Sequence, residues 1–271
     1  MNKNRIIFGL TTLLITAIIA SSIALAFRMD IEGTVSKEIV ELGETITITV
    51  HAFDITDRDD WTWHGTVVRY GADGSETVVA EADGSVGTYD AATPIWTHDF
   101  TAPSSFPVDT FKWHGEVSYV KYVVRVRFNN PKKLTGAGLA KTFILVNTRQ
   151  DIINFLSNPM LVKVNNLINA ANSELTTKID ARIASCTEGG NTDEDVATRW
   201  EAIKPGINDI KTDAEAIKDK ITTAIGDLNI KNIKEADDLI VDFWNVHGTT
   251  RNEYYDLIED TLEKCAEPVG E

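Results

Sequence analysis

The fold of the C-terminal half is decided by residues 196–228, which read VATRWEAIKPGINDIKTDAEAIKDKITTAIGDL. Apolar side chains recur along this stretch at alternating steps of four and three residues. The stripe consists of Val196, Trp200, Ile203, Ile207, Ile210, Ala214, Ile217, Ile221, Ala224 and Leu228. Steps that average 3.5 residues are the heptad repeat of packed helices. We therefore predict one long helix, with Pro205-Gly206 kinking its outer face without ending it.

Looser stripes of the same kind lie on both sides of this helix. They cover residues 156–183 and 233–261. Breakers at 187–191 and 226–229 separate them from the central stripe. Three helices of similar length with short connections predict an antiparallel up-down-up bundle, coiled-coil-like in its packing, over residues 149–271.

The residues before about position 148 follow a different period. Over 45–50, threonines alternate with Ile and Val, which is the period-two pattern of a strand with one buried face. Asp-Gly turns at 73–74 and 83–84 separate further short runs. About seven short strands at turn-marked intervals are typical of an antiparallel β-sandwich, here over 28–148. The chain as a whole is predicted to be an α+β protein.

Two short motifs in this half resemble prokaryotic immunoglobulin-like domains of cell-surface proteins. Residues 40–50 (VELGETITITV) resemble the start of the second strand of such a domain, and residues 100–103 (FTAP) look like the end of a later strand. The resemblance covers about residues 30–148, and the two sandwich cysteines of antibody-type domains are absent there. It implies a fold and, by analogy, a role in recognition or spacing rather than chemistry.

The N-terminus predicts export from the cytoplasm. Lys3 and Arg5 precede an uncharged apolar run over 6–27, and residues 24–26 (ALA) supply the small-x-small pattern that signal peptidase reads. The run is also long enough to span a bilayer. Cleavage after this motif and retention of 1–27 as an N-terminal membrane anchor helix therefore both stay open. In either case the remainder is predicted to be secreted or displayed at the cell surface.

The chain has two cysteines, Cys186 and Cys265. In an oxidising compartment a single pair usually forms a disulfide. Cys186 ends the first predicted helix and Cys265 ends the third, and these helices run parallel in an up-down-up bundle. Their C-terminal ends should lie level, so we predict a Cys186–Cys265 disulfide, with two unpaired thiols as the alternative.

An acidic loop over residues 54–60 is a candidate calcium site. Its carboxylates belong to Asp54, Asp57, Asp59 and Asp60. Calcium favours several oxygens from one flexible loop. However, the EF-hand spacing is absent and Arg58 supplies a competing cation, so a solvated loop is the favoured interpretation.

Trp61 directly follows this loop and is a candidate ligand-facing aromatic. An exposed tryptophan beside carboxylates suits stacking on a sugar or a protein partner. Four of the five histidines also lie in this half, but no close pair such as His-x-His occurs, so we expect no metal site. We expect instead that residues such as Trp63 face the core and that neighbours such as His64 lie on the polar face.

No sequence pattern supports catalysis. We find no Gly-rich phosphate loop, no nucleophile elbow and no His-Glu-x-x-His helix, so we predict a non-enzyme without a cofactor. The net charge of −15 argues against nucleic acid as a partner. The favoured hypothesis is a surface binding or structural protein that contacts other surface proteins or its own copies. The alternatives are a subunit of a surface layer, filament or virion built through helix packing, and a metal-binding or enzymatic surface protein.

Overall fold

The chain divides into two compact units, Met1–Asn147 and Thr148–Glu271. The computed structural model describes residues 30–53, 61–86, 93–107, 109–130, 135–188 and 192–265. In these described residues the first unit consists of strands and the second of helices, which confirms the α+β class. The predicted signal or anchor segment, 1–27, lies outside the described residues. Among the helices that are described, none has the length and apolar character needed to cross a membrane.

The described part of the first unit forms two sheets. Its strands are β1 (Asp30–Val35), β2 (Ile39–Glu41), β3 (Thr45–Phe53), β4 (Thr62–Tyr70), β5 (Glu76–Ser85), β6 (Trp96–Thr101), β7 (Phe111–Trp113), β8 (Val117–Asn130) and β9 (Thr135–Val146). One sheet has the order β1-β3-β6, and the other has the order β2-β9-β8-β4-β5 with β7 on β8. The prediction of purely antiparallel strands was wrong for one pair, because β2 runs parallel to β9. The long stretch of chain between these two strands permits such a pairing.

The two sheets share one hydrophobic core. In β3, the residues Ile46, Ile48 and Val50 are buried, whereas the threonines between them are partly or fully exposed. Aromatic rings of both sheets meet in the same cluster, where Phe100 of β6 lies 5.2 Å from Tyr122 of β8 between ring centroids. The period-two pattern of β3 therefore reports its buried face correctly.

The described residues of the second unit form three long helical runs. Its α-helices are α1 (Arg149–Phe155), α2 (Leu161–Ser173), α3 (Ile179–Thr187), α4 (Glu194–Gly226) and α5 (Ile230–Lys264). Two π-helical segments, Leu156–Met160 and Glu174–Lys178, join α1 to α2 and α2 to α3 without a break. Pro159 lies in the first of them, where its missing N–H removes one bond from the helical ladder.

Side-chain caps fix the start of each run. Thr148 and Asp151 form a reciprocal capping box in which each side chain accepts from the other residue's backbone N–H at 3.2 Å. Asp193 caps α4 and Asn229 caps α5 in the same way, by accepting from backbone N–H groups of the first turn.

Helix α4 is the central helix of the unit. Every stripe residue from Val196 to Ala224 is buried, while Leu228 lies past the helix end. The helix runs through Pro205 as predicted, and the proline is exposed. Helices α2, α3 and α5 all pack against α4. The heptad pattern therefore predicted both the helix and its buried face.

The predicted disulfide between Cys186 and Cys265 is confirmed. The two Cα atoms are 4.7 Å apart, and the bond closes a loop with a sequence separation of 79 residues. Both cysteines are buried. In the chain-entropy model a loop of this length stabilises the folded state by about 4.5 kcal/mol.

Candidate functional site

The structure places only part of the predicted site. The calcium candidates Asp54, Asp57, Asp59 and Asp60 lie outside the described residues. Trp61 was predicted to face a ligand, and this was wrong, because its side chain is only 6% exposed and packs in the core. The reason is strand geometry. Trp61 directly precedes β4, and its carbonyl accepts from the backbone N–H of Val86, so the strand pairing continues to it and it faces the same side as the buried Trp63.

The helical unit carries a groove between α2 and α5 with α4 as its floor. The groove encloses about 210 Å³. Leu167 and Ala170 line its α2 wall, and Ile207 lies on its floor. On the α5 wall the aromatic side chains Trp244 and Tyr255 stand at the opening. These walls are mostly apolar, as in sites that take an apolar group from a ligand or partner.

Helix α5 has an exposed apolar stripe beside this groove, which we call the outer stripe. Its members are Val241, Trp244, Tyr255 and Leu262, with exposed fractions of 58%, 45%, 59% and 70%. The steps between them fit one heptad seam, whose intervening positions 248 and 251 are Gly and Arg. Trp244, Tyr255 and Leu262 lie about 100–120° around the helix from the core position Phe243, and Val241 lies about 160° from it. Helix α5 therefore has a wide apolar face, and its outer stripe stays exposed while its core positions pack against α4.

An acidic row borders the outer stripe on the side away from the core. It consists of Asp242, Asp256, Glu259 and Glu263, all exposed. The intervening positions of the same row, 245, 249 and 252, are Asn, Thr and Asn, so no basic residue interrupts it. Arg251 also lines the groove, with its guanidinium 5.3 Å from the centre of the Trp244 ring. The groove opening thus combines apolar and aromatic side chains with one cation, and the acidic row lies beyond them on α5.

A buried ion pair supports the wall of the groove. Arg182 of α3 donates a hydrogen bond to the carboxylate of Glu174, and both residues are buried. The Arg182 guanidinium also lies over the rings of Trp200, at 4.8 Å, and Tyr254, at 5.7 Å. Burial raises the pKa of Tyr254 to about 12, and its hydrogen bond to Glu174 acts in the same direction. Tyr254 therefore keeps its proton at physiological pH.

Helix α5 is fixed to α4 by polar contacts as well as by the core. Nε2 of the buried His247 lies 2.8 Å from the carboxylate of Asp213, and Trp200 donates to Thr261 at 2.8 Å. These bonds hold the wide face of α5 in one orientation. The outer stripe is therefore a fixed surface of this unit.

A second polar constellation lies on the outer face of the six-stranded sheet. Nδ1 of His64 is 2.7 Å from Asp83 Oδ1, and Nε2 of the same ring is 3.6 Å from Glu81 Oε1. As predicted, His64 is partly exposed while Trp63 is buried. The sequence did not predict the cluster, because only the register of β4 against β5 brings the two acids to His64.

Comparison with known proteins shows no close relative. No protein-family model matches the chain, and no curated protein matches it. The chain has a weak likeness to the Bacillus subtilis sporulation control protein Spo0M, with 12% identity and a TM-score of 0.28 over 51% of this chain and 54% of that one. A Bacteroides thetaiotaomicron lipoprotein has 13% identity and a TM-score of 0.27 over 49% of this chain and 89% of its own. A chain described as pT26-6p has 14% identity and a TM-score of 0.29 over 86% of this chain and 49% of its own. The chain spans about half the length of the first and third of these. Similarity this slight carries no argument about function.

Proposed function

We propose that this chain is an exported cell-surface protein, not an enzyme, that binds other surface proteins through its helical unit. The observation that carries the proposal is the outer stripe of α5, which leaves large apolar side chains exposed at a groove. Exposed apolar patches with polar rims mark interaction sites on soluble domains. The chain is either secreted after cleavage of the segment 1–27 or anchored in a membrane by it.

The disulfide supports the exported location. Cys186 and Cys265 are the only cysteines of the chain, and they are paired. Disulfides persist in oxidising compartments and are rare in the cytosol. The apolar segment 6–27, which follows two basic residues, favours the same location.

The proposal includes a finer description of both units. The sheet orders β1-β3-β6 and β2-β9-β8-β4-β5 support an immunoglobulin-like β-sandwich, with β5 in the edge position that variable-type domains add beside their C strand. The run from α1 to α3, together with α4 and α5, forms a three-helix up-down-up bundle in this proposal. The disulfide supports it, because the ends of the first and third runs are level there.

The partner that fits the groove is an amphipathic helix with basic flanks. The apolar groove takes one hydrophobic seam of such a helix, as helix-in-groove recognition does elsewhere. The acidic row along α5 attracts Lys and Arg on the flanks of that helix. A second copy of α5 fits less well, because the acidic rows of the two copies would face and repel each other. Anionic lipid headgroups are repelled for the same reason.

Peptide binding tests this proposal. The probe is a fluorescent peptide of about 21 residues, three heptads, with Leu at the seam positions and Lys at the flanks, and its control carries Glu at the flanks. Anisotropy should show binding of the Lys peptide alone. The double variant Trp244→Ala/Tyr255→Ala should weaken binding about tenfold or more, since truncated aromatic anchors cost over 1.4 kcal/mol.

The matched control is Val246→Ala, which removes an exposed apolar side chain of α5 outside the outer stripe. It should bind the Lys peptide as the natural chain does. Equal binding by all three proteins would show unspecific charge attraction and would overturn the proposed site. A stable dimer that is lost in the Trp244→Ala/Tyr255→Ala variant would instead identify a second copy as the occupant.

A further inference from the structure

We infer that His64, Glu81 and Asp83 form a binding site for a divalent transition-metal ion such as Zn²⁺. The site lies on the outer face of the six-stranded sheet and is independent of the helical groove. One ligand atom from each of the three residues lies within 4.8 Å of the other two. Among the residues that the structure describes, this is the group whose side chains converge in this way.

The strand register fixes the cluster. His64 of β4 pairs directly with Asp83 of β5, and Glu81 pairs with Thr66, two positions further along both strands. Residues two apart on a strand share a face, so Glu81 and Asp83 point to the same side as His64. Sites built on paired strands hold their geometry better than sites on loops.

The distances assign a separate role to each residue. Nε2 of His64 and Oε1 of Glu81 are 3.6 Å apart. Two ligand atoms at about 2.0–2.2 Å from one zinc ion with tetrahedral angles are separated by roughly 3.4 Å, so these two atoms fit as ligands. The opposite ring nitrogen, Nδ1, lies 2.7 Å from Asp83 Oδ1. Asp83 therefore accepts the Nδ1–H bond, which leaves the Nε2 lone pair free for the metal and orients the ring.

The chemistry of the ligands selects the class of metal. An imidazole nitrogen with a carboxylate suits Zn²⁺ and similar transition metals, whereas Ca²⁺ and Mg²⁺ prefer oxygen ligands alone. Two carboxylates keep the cluster negative even with Arg127 opposite His64 on β8. The side chains of His64 and Glu81 are 43% and 58% exposed, so the remaining coordination positions are open to water or to a donor from a partner.

Zinc titration of the full exported chain tests the inference. After treatment with a chelator, isothermal titration with ZnCl₂ should show one site. His64→Gln and Glu81→Gln should each weaken binding at least tenfold, and Asp83→Asn should weaken it 10–100-fold through loss of the orienting bond. His98→Gln, a histidine of β6 outside the cluster, should leave the affinity unchanged. Circular dichroism of each variant checks that the sheet is intact.

The zinc affinities of the variants decide between the possible outcomes. Loss of the site in the three cluster variants but not in His98→Gln supports the inference. Absence of binding to the natural chain at millimolar zinc would overturn it, as would unchanged affinity in His64→Gln. Unchanged affinity in Asp83→Asn would overturn the orienting role of that carboxylate.

Discussion

Replacing Arg182 with methionine removes one partner of the buried ion pair behind the groove. The Glu174 and Arg182 side chains are each only 11% exposed. Loss of the guanidinium leaves the carboxylate of Glu174 buried, with Lys178 at 3.6 Å as the remaining cation. Removing one member of a buried pair costs about 3–5 kcal/mol. Because Lys178 still partly neutralises the Glu174 carboxylate, we expect the free energy of unfolding to fall by an amount near the lower limit, about 3 kcal/mol.

The double variant Glu174→Leu/Arg182→Met gives the decisive contrast. Both charges are then absent, and apolar side chains of similar size fill their space. Replacing a whole buried pair by apolar side chains is often neutral or stabilising. We therefore expect the free energy of unfolding of the double variant to be within about 1 kcal/mol of that of the natural chain, or higher. The two substitutions should therefore be strongly non-additive.

Urea unfolding followed by circular dichroism at a helical wavelength measures both variants, because the signal reports on the helical unit. A midpoint for Arg182→Met within error of the natural one would refute the reasoning. So would a double variant that is less stable than the single one. The first result would mean that the pair is solvated, and the second that the remaining contacts of Glu174 with Lys178 and Tyr254 stabilise the fold by more than its burial costs.

Four further variants test the packing and the cross-link. Cys186→Ala/Cys265→Ala should lower the stability of the helical unit by up to about 4.5 kcal/mol, and reductant should destabilise the natural chain but not this variant. Gly248→Ala should raise the free energy of unfolding by about 0.5–1 kcal/mol, since nothing lies within 4 Å of the added Cβ. Gly206→Ala should lower it, since that Cβ would lie 2.8 Å from a threonine of α5. Gly84→Ala should cost about 1–3 kcal/mol in near-ultraviolet unfolding curves, because its Cβ would lie 2.5 Å from a core indole.

The helical unit was predictable where one pattern dominates. The stripe through α4 keeps the heptad spacing without interruption, and every member from Val196 to Ala224 is buried. The disulfide followed from the helix order together with the cysteine positions. The two π segments were not predictable, because a one-residue insertion in the helical ladder leaves the apolar stripe almost in phase.

The sites were less accessible to sequence reasoning than the helices. The spacing of two residues between Trp61 and Trp63 predicts that both face the core, but the acidic loop before Trp61 suggested exposure. The His64 cluster depends on which strand pairs with which and in what register, and no local pattern contains that information. The exposure of the outer stripe depends on how much of α5 is covered by α4, which is a tertiary property.

The location and the redox state of the chain in its native cells test the central claim most directly. Cells are fractionated without reductant after alkylation of free thiols, and the chain is analysed by mass spectrometry of its N-terminus and by a non-reducing peptide map. We predict recovery outside the cytoplasm, with the peptides of Cys186 and Cys265 linked and a mature N-terminus at Phe27, or with Met1 retained in the membrane fraction. Full-length chain in the cytoplasmic fraction with both cysteines alkylated would contradict the account.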